Sequence, residues 1–316
     1  MRCSIGIDVG GTKTLGAVVC EDGRIIHQVR CATPASDRDG VVQTVVELAA
    51  TLAAYAASES HEVVGVGVGT AGQVNFEAGT VVSGTPNIRD WMNVDLRSAL
   101  EPIGFPVWVD NDVNVHLLAE TRFGVAAGRQ HVLMLALGTG VGGAAWEDGR
   151  LVRGDWGAAC EFGHVCVDYR GPDCNCGSRG CLELYASGTG IARMMRERLA
   201  QTGGSTPSPT LDARAVLQQA QAGDPVAAAV VHDMLDALSM ACVSLIHAFN
   251  PQMIVLGGGV MESGEWLLTG VRERVKTLGM SSLVRPVAIA AAQFGAEAGV
   301  VGAALQSFLY EQTLEE

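Results

Sequence analysis

Cys174-Asn175-Cys176-Gly177-Ser178-Arg179-Gly180-Cys181 sets three thiols close together, with His164 ten residues upstream of the first. Three thiolates and one imidazole complete a closed tetrahedral Zn²⁺ shell, and Gly177 and Gly180 permit the tight loop that gathers the sulfurs. The plainer alternative is free thiols beside an unrelated histidine, and the spacing favours the metal. Four ligands leave no open position, so such a zinc is structural and not a Lewis acid. Glu161-Phe162-Gly163-His164 and Glu183 flank the cluster with two carboxylates. Each alone reads as a solvated surface charge. A zinc-bound histidine can still present its other ring nitrogen, so the ring edge and the carboxylates together suit a polyhydroxylated ligand.

Two glycine loops point to phosphate. In Asp8-Val9-Gly10-Gly11-Thr12-Lys13 and Gly138-Thr139-Gly140, glycines let backbone N–H groups approach an anion and threonine adds a hydroxyl. Asp8 could hold Mg²⁺ through water, and Lys13 could neutralise phosphate charge. Either loop alone reads equally well as a tight hairpin; their paired occurrence favours function. Gly67–Gly72 and Gly138–Gly143 match a dinucleotide fingerprint on paper. That motif must open a helix, whereas hairpin turns at Glu77-Ala78-Gly79 and Glu147-Asp148-Gly149 follow here, so a Rossmann reading is rejected. Asp110-Asn111-Asp112 precedes a helix. An acid there is ordinarily a cap, which accounts for one aspartate but not for Asn111 between two acids, a set able to take a proton from a hydroxyl.

These residues need a scaffold. At ~150 residues per domain, the 316-residue chain suggests two domains. Its 48% hydrophobic and 17% charged residues belong to a packed globular protein. Strands at Ile5–Val9 and Leu15–Cys20, the turn Glu21-Asp22-Gly23-Arg24 and a third strand form a meander. His131–Val152 repeats that plan with the same turn, Glu147-Asp148-Gly149-Arg150, which suggests a duplicated fold. Helices are expected at Val41–Ala57, Val113–Phe123, Ala186–Ala200, Leu211–Ala222, Asp224–Phe249 and Ala296–Tyr310. Strands are expected at Val63–Gly69, Pro106–Val109, Met253–Leu256 before Gly257-Gly258-Gly259, and Val287–Ala291. Gly203–Pro209 reads as a mobile surface loop.

A net charge of −13 argues against nucleic acid as a partner. Met1–Gly11 lacks a secretory apolar run, and His232, Asp233, Asp236 and His247 disqualify Val226–Phe249 as a membrane span. With the remaining six cysteines scattered in apolar contexts, the expectation is a soluble, cytoplasmic protein.

Taken together, the Asp8 loop, Pro86-Asn87-Ile88-Arg89-Asp90-Trp91, Asp110-Asn111-Asp112, Leu137-Gly138-Thr139-Gly140, Glu161-Phe162-Gly163-His164 and the Cys174–Glu183 cluster resemble the ROK family of sugar kinases and repressors, in the actin and hexokinase superfamily. The resemblance covers nearly the whole chain. It implies an α/β fold of duplicated actin-like (ribonuclease H-like) domains with an interdomain cleft. Its division would be residues 1–115 plus a C-terminal helix at about 297–316, and a larger domain over 116–296. The implied reaction is ATP-dependent phosphorylation of a hexose at its 6-hydroxyl. Asp112 resembles the family's general base, and Asn87, Asn111, Asp112, Glu161, His164 and Glu183 its sugar ligands. Asp8, Gly10, Gly11, Thr12, Lys13, Gly138, Thr139 and Gly140 resemble its phosphate loops, Gly257, Gly258 and Gly259 its adenosine-side turn, and His164, Cys174, Cys176 and Cys181 its zinc ligands. Expected cofactors are ATP, Mg²⁺ and structural Zn²⁺, in a homodimer or homotetramer. Cys160 stands where the family more usually has Gly or Ala, a substitution that could crowd the sugar. The Pro86–Trp91 segment is similar to glucokinases, while Pro106–Asp112 and Gly171-Pro172-Asp173-Cys174 are also similar to N-acetylmannosamine kinases. Glucose is thus the first expected substrate and an N-acetylhexosamine (N-acetylmannosamine or N-acetylglucosamine) the second. A non-catalytic sugar-responsive regulator is the reading of another class; its repressor branch would carry a DNA-binding extension ahead of the glycine loop that here starts at residue 10.

Overall fold

The computed structural model describes residues 1–85, 87–201 and 211–311. β1 (Arg2–Val9), β2 (Lys13–Cys20) and β3 (Ile25–Ala32) make an antiparallel meander, and α1 (Arg38–Ser58) leads to β4 (Glu62–Thr70), parallel to β1. A small sheet of β5 (Gln73–Asn75), β6 (Thr80–Ser83) and β7 (Val94–Asp95) follows, with α2 (Leu96–Leu100). Next come β8 (Val107–Asn111), parallel to β4, and α3 (Asp112–Arg122). β9 (His131–Leu137), β10 (Val141–Glu147) and the two-residue β11 (Arg150–Leu151) repeat the meander. The helices α4 (Glu183–Ala186), α5 (Gly188–Gln201), α6 (Ala213–Gln221) and α7 (Pro225–Phe249) then precede β12 (Met253–Gly257), α8 (Glu265–Thr277), α9 (Ser281–Val284), β13 (Ala288–Ala291) and α10 (Ala298–Tyr310). The two large sheets run β3-β2-β1-β4-β8 and β11-β10-β9-β12-β13. Each is a three-stranded meander extended by two parallel strands, so the duplication read from the repeated turn is present in the topology.

The chain divides into two units. Unit 1 holds Met1–Gly128, Arg150–Ala159 and the segment from Gln293; unit 2 holds Arg129–Gly149 and Cys160–Ala292. This differs from a division at residues 115 and 116 for a packing reason. The whole of α3 lies on α10, where a Cβ on Gly302 would sit 1.6 Å from the Val115 carbonyl oxygen. Arg150–Ala159 lies on the β5 strand, where a Cβ on Gly157 would sit 1.9 Å from the Val74 carbonyl oxygen. The expected loop at Gly203–Pro209 lies outside the described residues, as does the end of the C-terminal segment past residue 311. The helix expected at Ala186–Ala200 is α5, which begins at Gly188 after Ser187, whose hydroxyl accepts from the Gly190 N–H and so caps it; the short α4 ahead of it ends at Ala186.

In unit 1, Val41, Val45, Leu48, Ala49, Leu52 and Ala56 form the buried stripe of α1, at the spacing that puts them on one helix face. α10 is buried from Ala298 through Ser307, and it covers the sheet almost without side chains. A Cβ on Gly6 would lie 1.9 Å from the Val300 carbonyl oxygen, and one on Gly67 would lie 1.7 Å from that of Ala303. Both α1 and α7 are long and apolar enough to cross a bilayer, but 61% of the most apolar window of α7 is buried inside the fold, as in a core helix. Register pairs Asp8 with Gly69 and Gly69 with Asp110. Paired positions share a face of a sheet, so both aspartates stand on one face at the carboxyl ends of β1 and β8.

Gly67→Ala should therefore cost about 1–3 kcal/mol or more in urea unfolding, because the obstacle is helix backbone. Gly259→Ala, with nothing within 4 Å of the added carbon, should unfold close to the wild-type midpoint.

Candidate functional site

In unit 1 the site residues gather where β1, β4 and β8 end. The β1–β2 turn is closed by the Gly10 N–H donating to the Lys13 carbonyl at 3.1 Å. A Cβ on Gly11 would be 2.7 Å from that of Asn87, so the glycine turn and the exposed Asn87 lie side by side. Asn111 caps α3: its Oδ1 accepts from the Val113 N–H at 2.8 Å and the Asn114 N–H at 3.3 Å, and its Nδ2 donates to the Gly72 carbonyl at 3.0 Å. The cap expected of an aspartate is thus mainly the work of Asn111, and Asp112 begins the helix with Oδ1 3.0 Å from the Val113 nitrogen.

Asp8 lies against the first turn of α10, where a Cβ on Gly299 would come within 2.3 Å of its Oδ2. Burial raises its carboxyl above the ordinary carboxylate range; His116 opposes that shift, Asp112 adds to it, and Lys13 opposes it. Asp8, Lys13, Asp112 and His116 therefore share one electrostatic neighbourhood. His116 escaped the sequence reading, although its place four residues after Asp112 puts the two on one face of α3.

In unit 2 the Gly138–Gly140 loop has a fixed polarity. The Gly138 carbonyl accepts from the Gly188 N–H at 2.8 Å, and the Thr139 carbonyl from the Thr189 hydroxyl at 2.8 Å. No peptide bond among the described residues is cis, and a trans peptide points its N–H opposite to its carbonyl. The N–H groups of Thr139 and Gly140 therefore face away from the start of α5, free to meet an anion. The Gly257-Gly258-Gly259 turn packs beside this loop. Gly258 has φ 85°, and a Cβ there would be 2.4 Å from the Leu137 carbonyl oxygen, so only glycine fits. A cavity of about 610 Å³ is lined by Gly138, Thr139, Thr189, Arg196, Arg214 and Gly259, among others. Of the three expected turn glycines only Gly259 lines it; Gly257 ends β12 and Gly258 shapes the turn. Arg196 and Arg214 carry no sequence signal because they arrive from the faces of α5 and α6.

The sulfur cluster forms as the spacing predicts. One ligand atom from each of His164, Cys174, Cys176 and Cys181 lies within 4.8 Å of the others. His164 Nδ1 is 3.7 Å from Cys174 Sγ, and the Cys176 and Cys181 sulfurs are 3.6 Å apart. Ligands on a tetrahedral zinc stand about 3.4–3.8 Å from one another given the usual bond lengths, whereas a disulfide needs about 2.05 Å. Gly177 and Gly180 take φ 88° and 59°, the left-handed turns the loop demands. Burial, then hydrogen bonds with Cys174 and Cys176, pushes the Cys181 thiol up to about 12, while the Ser178 backbone lowers that of Cys176. Three thiolates so close need a cation among them, and the donor set fits zinc.

Cluster and loop are joined by Glu183, two residues past Cys181. Its Oε2 accepts from the Val141 N–H at 2.9 Å, and a Cβ on Gly140 would be 2.4 Å from that oxygen. Glu161 occupies the centre of a tight turn with φ −66° and ψ 58°, closed by the Phe162 N–H on the Cys160 carbonyl at 2.6 Å. Cys160 itself has φ 67°, a strained conformation for a residue bearing a side chain, and burial first of all pushes its thiol up to about 11.

A sequence model described as the ROK family matches residues 4–307. The glucokinase of Thermotoga maritima is 37% identical over 308 residues, covering 95% of each chain. Among solved structures, the ROK family glucokinase from Streptomyces griseus in complex with glucose and AMPPNP is 35% identical with a TM-score of 0.80, covering 97% of this chain and 99% of that one. The ROK hexokinase from Thermus thermophilus is 31% identical with a TM-score of 0.84, covering 98% of this chain and 99% of that one.

The raised Asp8 carboxyl has a consequence for stability. The folded state holds this proton more tightly than the unfolded chain, so ionisation costs stability as pH rises through the ordinary carboxylate range, and the loss is complete above the folded-state value. Asp8→Asn should raise the melting temperature at pH 7 in the absence of Mg²⁺ and nucleotide. The gain should shrink as pH falls toward 4.

Proposed function

We propose, from the premise that the chain belongs to the ROK family, that this protein is an ATP-dependent hexose kinase acting on the 6-hydroxyl of glucose. The observation that carries the reading is the nucleotide-sized cavity of about 610 Å³ in unit 2, lined by Gly138 and Thr139 of the glycine loop together with Arg196 and Arg214. A phosphate there is met by backbone donors, Thr139 adds a hydroxyl, and Arg196 and Arg214 supply charge. The identity to glucokinases over nearly the full chain supports glucose as the acceptor.

In this reading the 6-hydroxyl oxygen bonds to the γ-phosphorus as the bond from that phosphorus to the bridging oxygen of ADP breaks, and the hydroxyl proton passes to the Asp112 carboxylate. The transition state is loose, so most of the catalysis is placement and charge. Asp8 would hold the Mg²⁺ of ATP, which would neutralise phosphate charge together with Lys13. Asn87 and Asn111 in unit 1, and Glu161, His164 and Glu183 in unit 2, bind sugar hydroxyls. His164, Cys174, Cys176 and Cys181 would hold zinc, which supplies a closed structural knot. His164 turns Nδ1 toward that knot, which leaves Nε2 for a hydroxyl.

A coupled ADP-release assay over glucose, mannose, fructose, N-acetylglucosamine and N-acetylmannosamine tests the reading. Glucose should give the highest kcat/KM; an N-acetylhexosamine ahead of it would move the assignment to that substrate, and ADP release with none would refute the kinase. Asp112→Asn should lower kcat by about 10²–10⁴ while hexose binding, followed by calorimetry, persists. Elemental analysis should find close to one zinc per chain, and chelation should lower the melting temperature and weaken hexose binding together.

A further inference from the structure

Asp110, near the end of β8, is 1% exposed, and it is not needed to touch a substrate. A lone ionised carboxylate there would cost several kcal/mol. Instead it accepts three hydrogen bonds within an ion pair. Oδ1 takes the Asn111 N–H at 2.8 Å and the Asn114 side-chain amide at 2.7 Å; Oδ2 takes Nε of Arg153 at 2.9 Å and stands 2.8 Å from its Nη2.

Arg153 is itself held on every side. Its guanidinium lies 3.7 Å over the centre of the Phe76 ring and 5.1 Å from that of Tyr310, whose hydroxyl accepts from Nη2 at 2.9 Å. Phe76 is fixed in turn by Arg97, which donates to the Phe76 carbonyl at 3.0 Å. Burial works against the Arg153 charge, and Asp110 and Tyr310 outweigh it, so the guanidinium stays ionised. This arginine reaches Asp110 because Arg150–Ala159 leaves unit 2 and packs in unit 1.

The arrangement is a chain of fixed contacts that ends at the proposed base. Arg153 orients Asp110, Asp110 holds the Asn111 N–H, Asn111 caps α3, and Asp112 is the first residue of that helix. We propose that Arg153 is a positioning residue for phosphoryl transfer: it aims Asp112 at the acceptor hydroxyl through Asp110. The proposal rests on the hexose-kinase reading. Lysine would keep the charge but cannot present two donors and a flat face at once. A misplacement of about 1 Å in an acceptor geometry can cost ~10²-fold in rate.

The test uses Arg153→Lys in the wild-type and Asp112→Asn backgrounds, with melting curves recorded alongside. The expected result is a folded variant with hexose KM within about threefold of wild type, kcat lower by about 10- to 100-fold, and little further loss when Asp112 is already Asn. Unchanged kcat, a loss confined to KM, or a full additional loss in the Asp112→Asn background would overturn the proposal. If Arg153→Lys does not fold, the paired variant Asp110→Asn with Arg153→Met, which removes both buried charges, replaces it. Wild-type kcat in that pair would overturn the proposal equally. A wild-type protein that phosphorylates no hexose sinks the functional reading and this inference together, whereas an active wild type with an equally active Arg153 variant sinks this inference alone.

Discussion

The backbone of α10 touches the backbones it packs on, and much of unit 1 follows from that contact. At Gly6, Gly67 and Gly302 no side chain intervenes between this helix and β1, β4 or α3. The helix is buried through Ser307 with few large side chains, so its place is set by close carbonyl contacts that admit no slack. Interiors packed this tightly transmit displacement instead of absorbing it. α3, docked on the same helix through Val115 and Gly302, inherits that precision, and Asp112 at its first turn inherits it from α3. Gly299 extends the same logic to Asp8, whose carboxylate occupies the space a side chain would have taken.

Two aspartates on one face of one sheet, either side of Gly69, are treated in opposite ways. Asp110 is satisfied completely by an arginine, an amide and a backbone N–H. A charge so compensated is stable and inert, suited to holding a turn in place. Asp8 is half-buried with no ion pair among the described residues, and desolvation raises its carboxyl. A carboxylate whose ionisation is costly is one that gains most from a cationic ligand. The contrast separates a structural acid from a binding acid by environment alone, although the two are the same residue type in the same sheet.

Much of this was legible in the chain. The repeated turns at Glu21–Arg24 and Glu147–Arg150 disclosed the duplicated meander, because a β-turn's residue demands are local. The Cys/His cluster was legible for the same reason: thiol spacing and left-handed glycines are short-range requirements. What escaped was long-range. Arg153 lies in a stretch with no motif, and its partners Phe76, Asp110 and Tyr310 come from three distant parts of the chain. A sign was present, since an aspartate ending an apolar strand needs a cation from somewhere, but nothing local names the donor. Arg196 and Arg214 were missed likewise, as helical surface arginines are ordinarily solvated. Of the small sheet of β5, β6 and β7 only the hairpin turn at Glu77-Ala78-Gly79 was legible, because its strands are too short to show a period.

The segment from Val165 to Cys181 suits the metal that its Cys/His cluster could hold, and does not suit a hydrophobic core. It contains few apolar side chains, and Tyr169 is 72% exposed, so burial cannot offset the entropy of ordering it. Yet both of its ends must be accurate. His164 and the strained Cys160-Glu161 turn stand at one end. Glu183 stands at the other, bonded to the Val141 N–H beside the phosphate loop. A closed four-ligand shell fixes such a loop with four side chains, and two of them, His164 and Cys181, are the residues nearest its ends. Glu183 then carries the constraint onward, because an acid two positions from a metal ligand and bonded to the Gly138–Val141 strand turn cannot shift without moving both. In unit 2 the proposed sugar ligands, the Cys/His cluster and the Gly138–Gly140 loop are therefore one mechanical assembly, and order imposed at the sulfurs is order delivered at that loop.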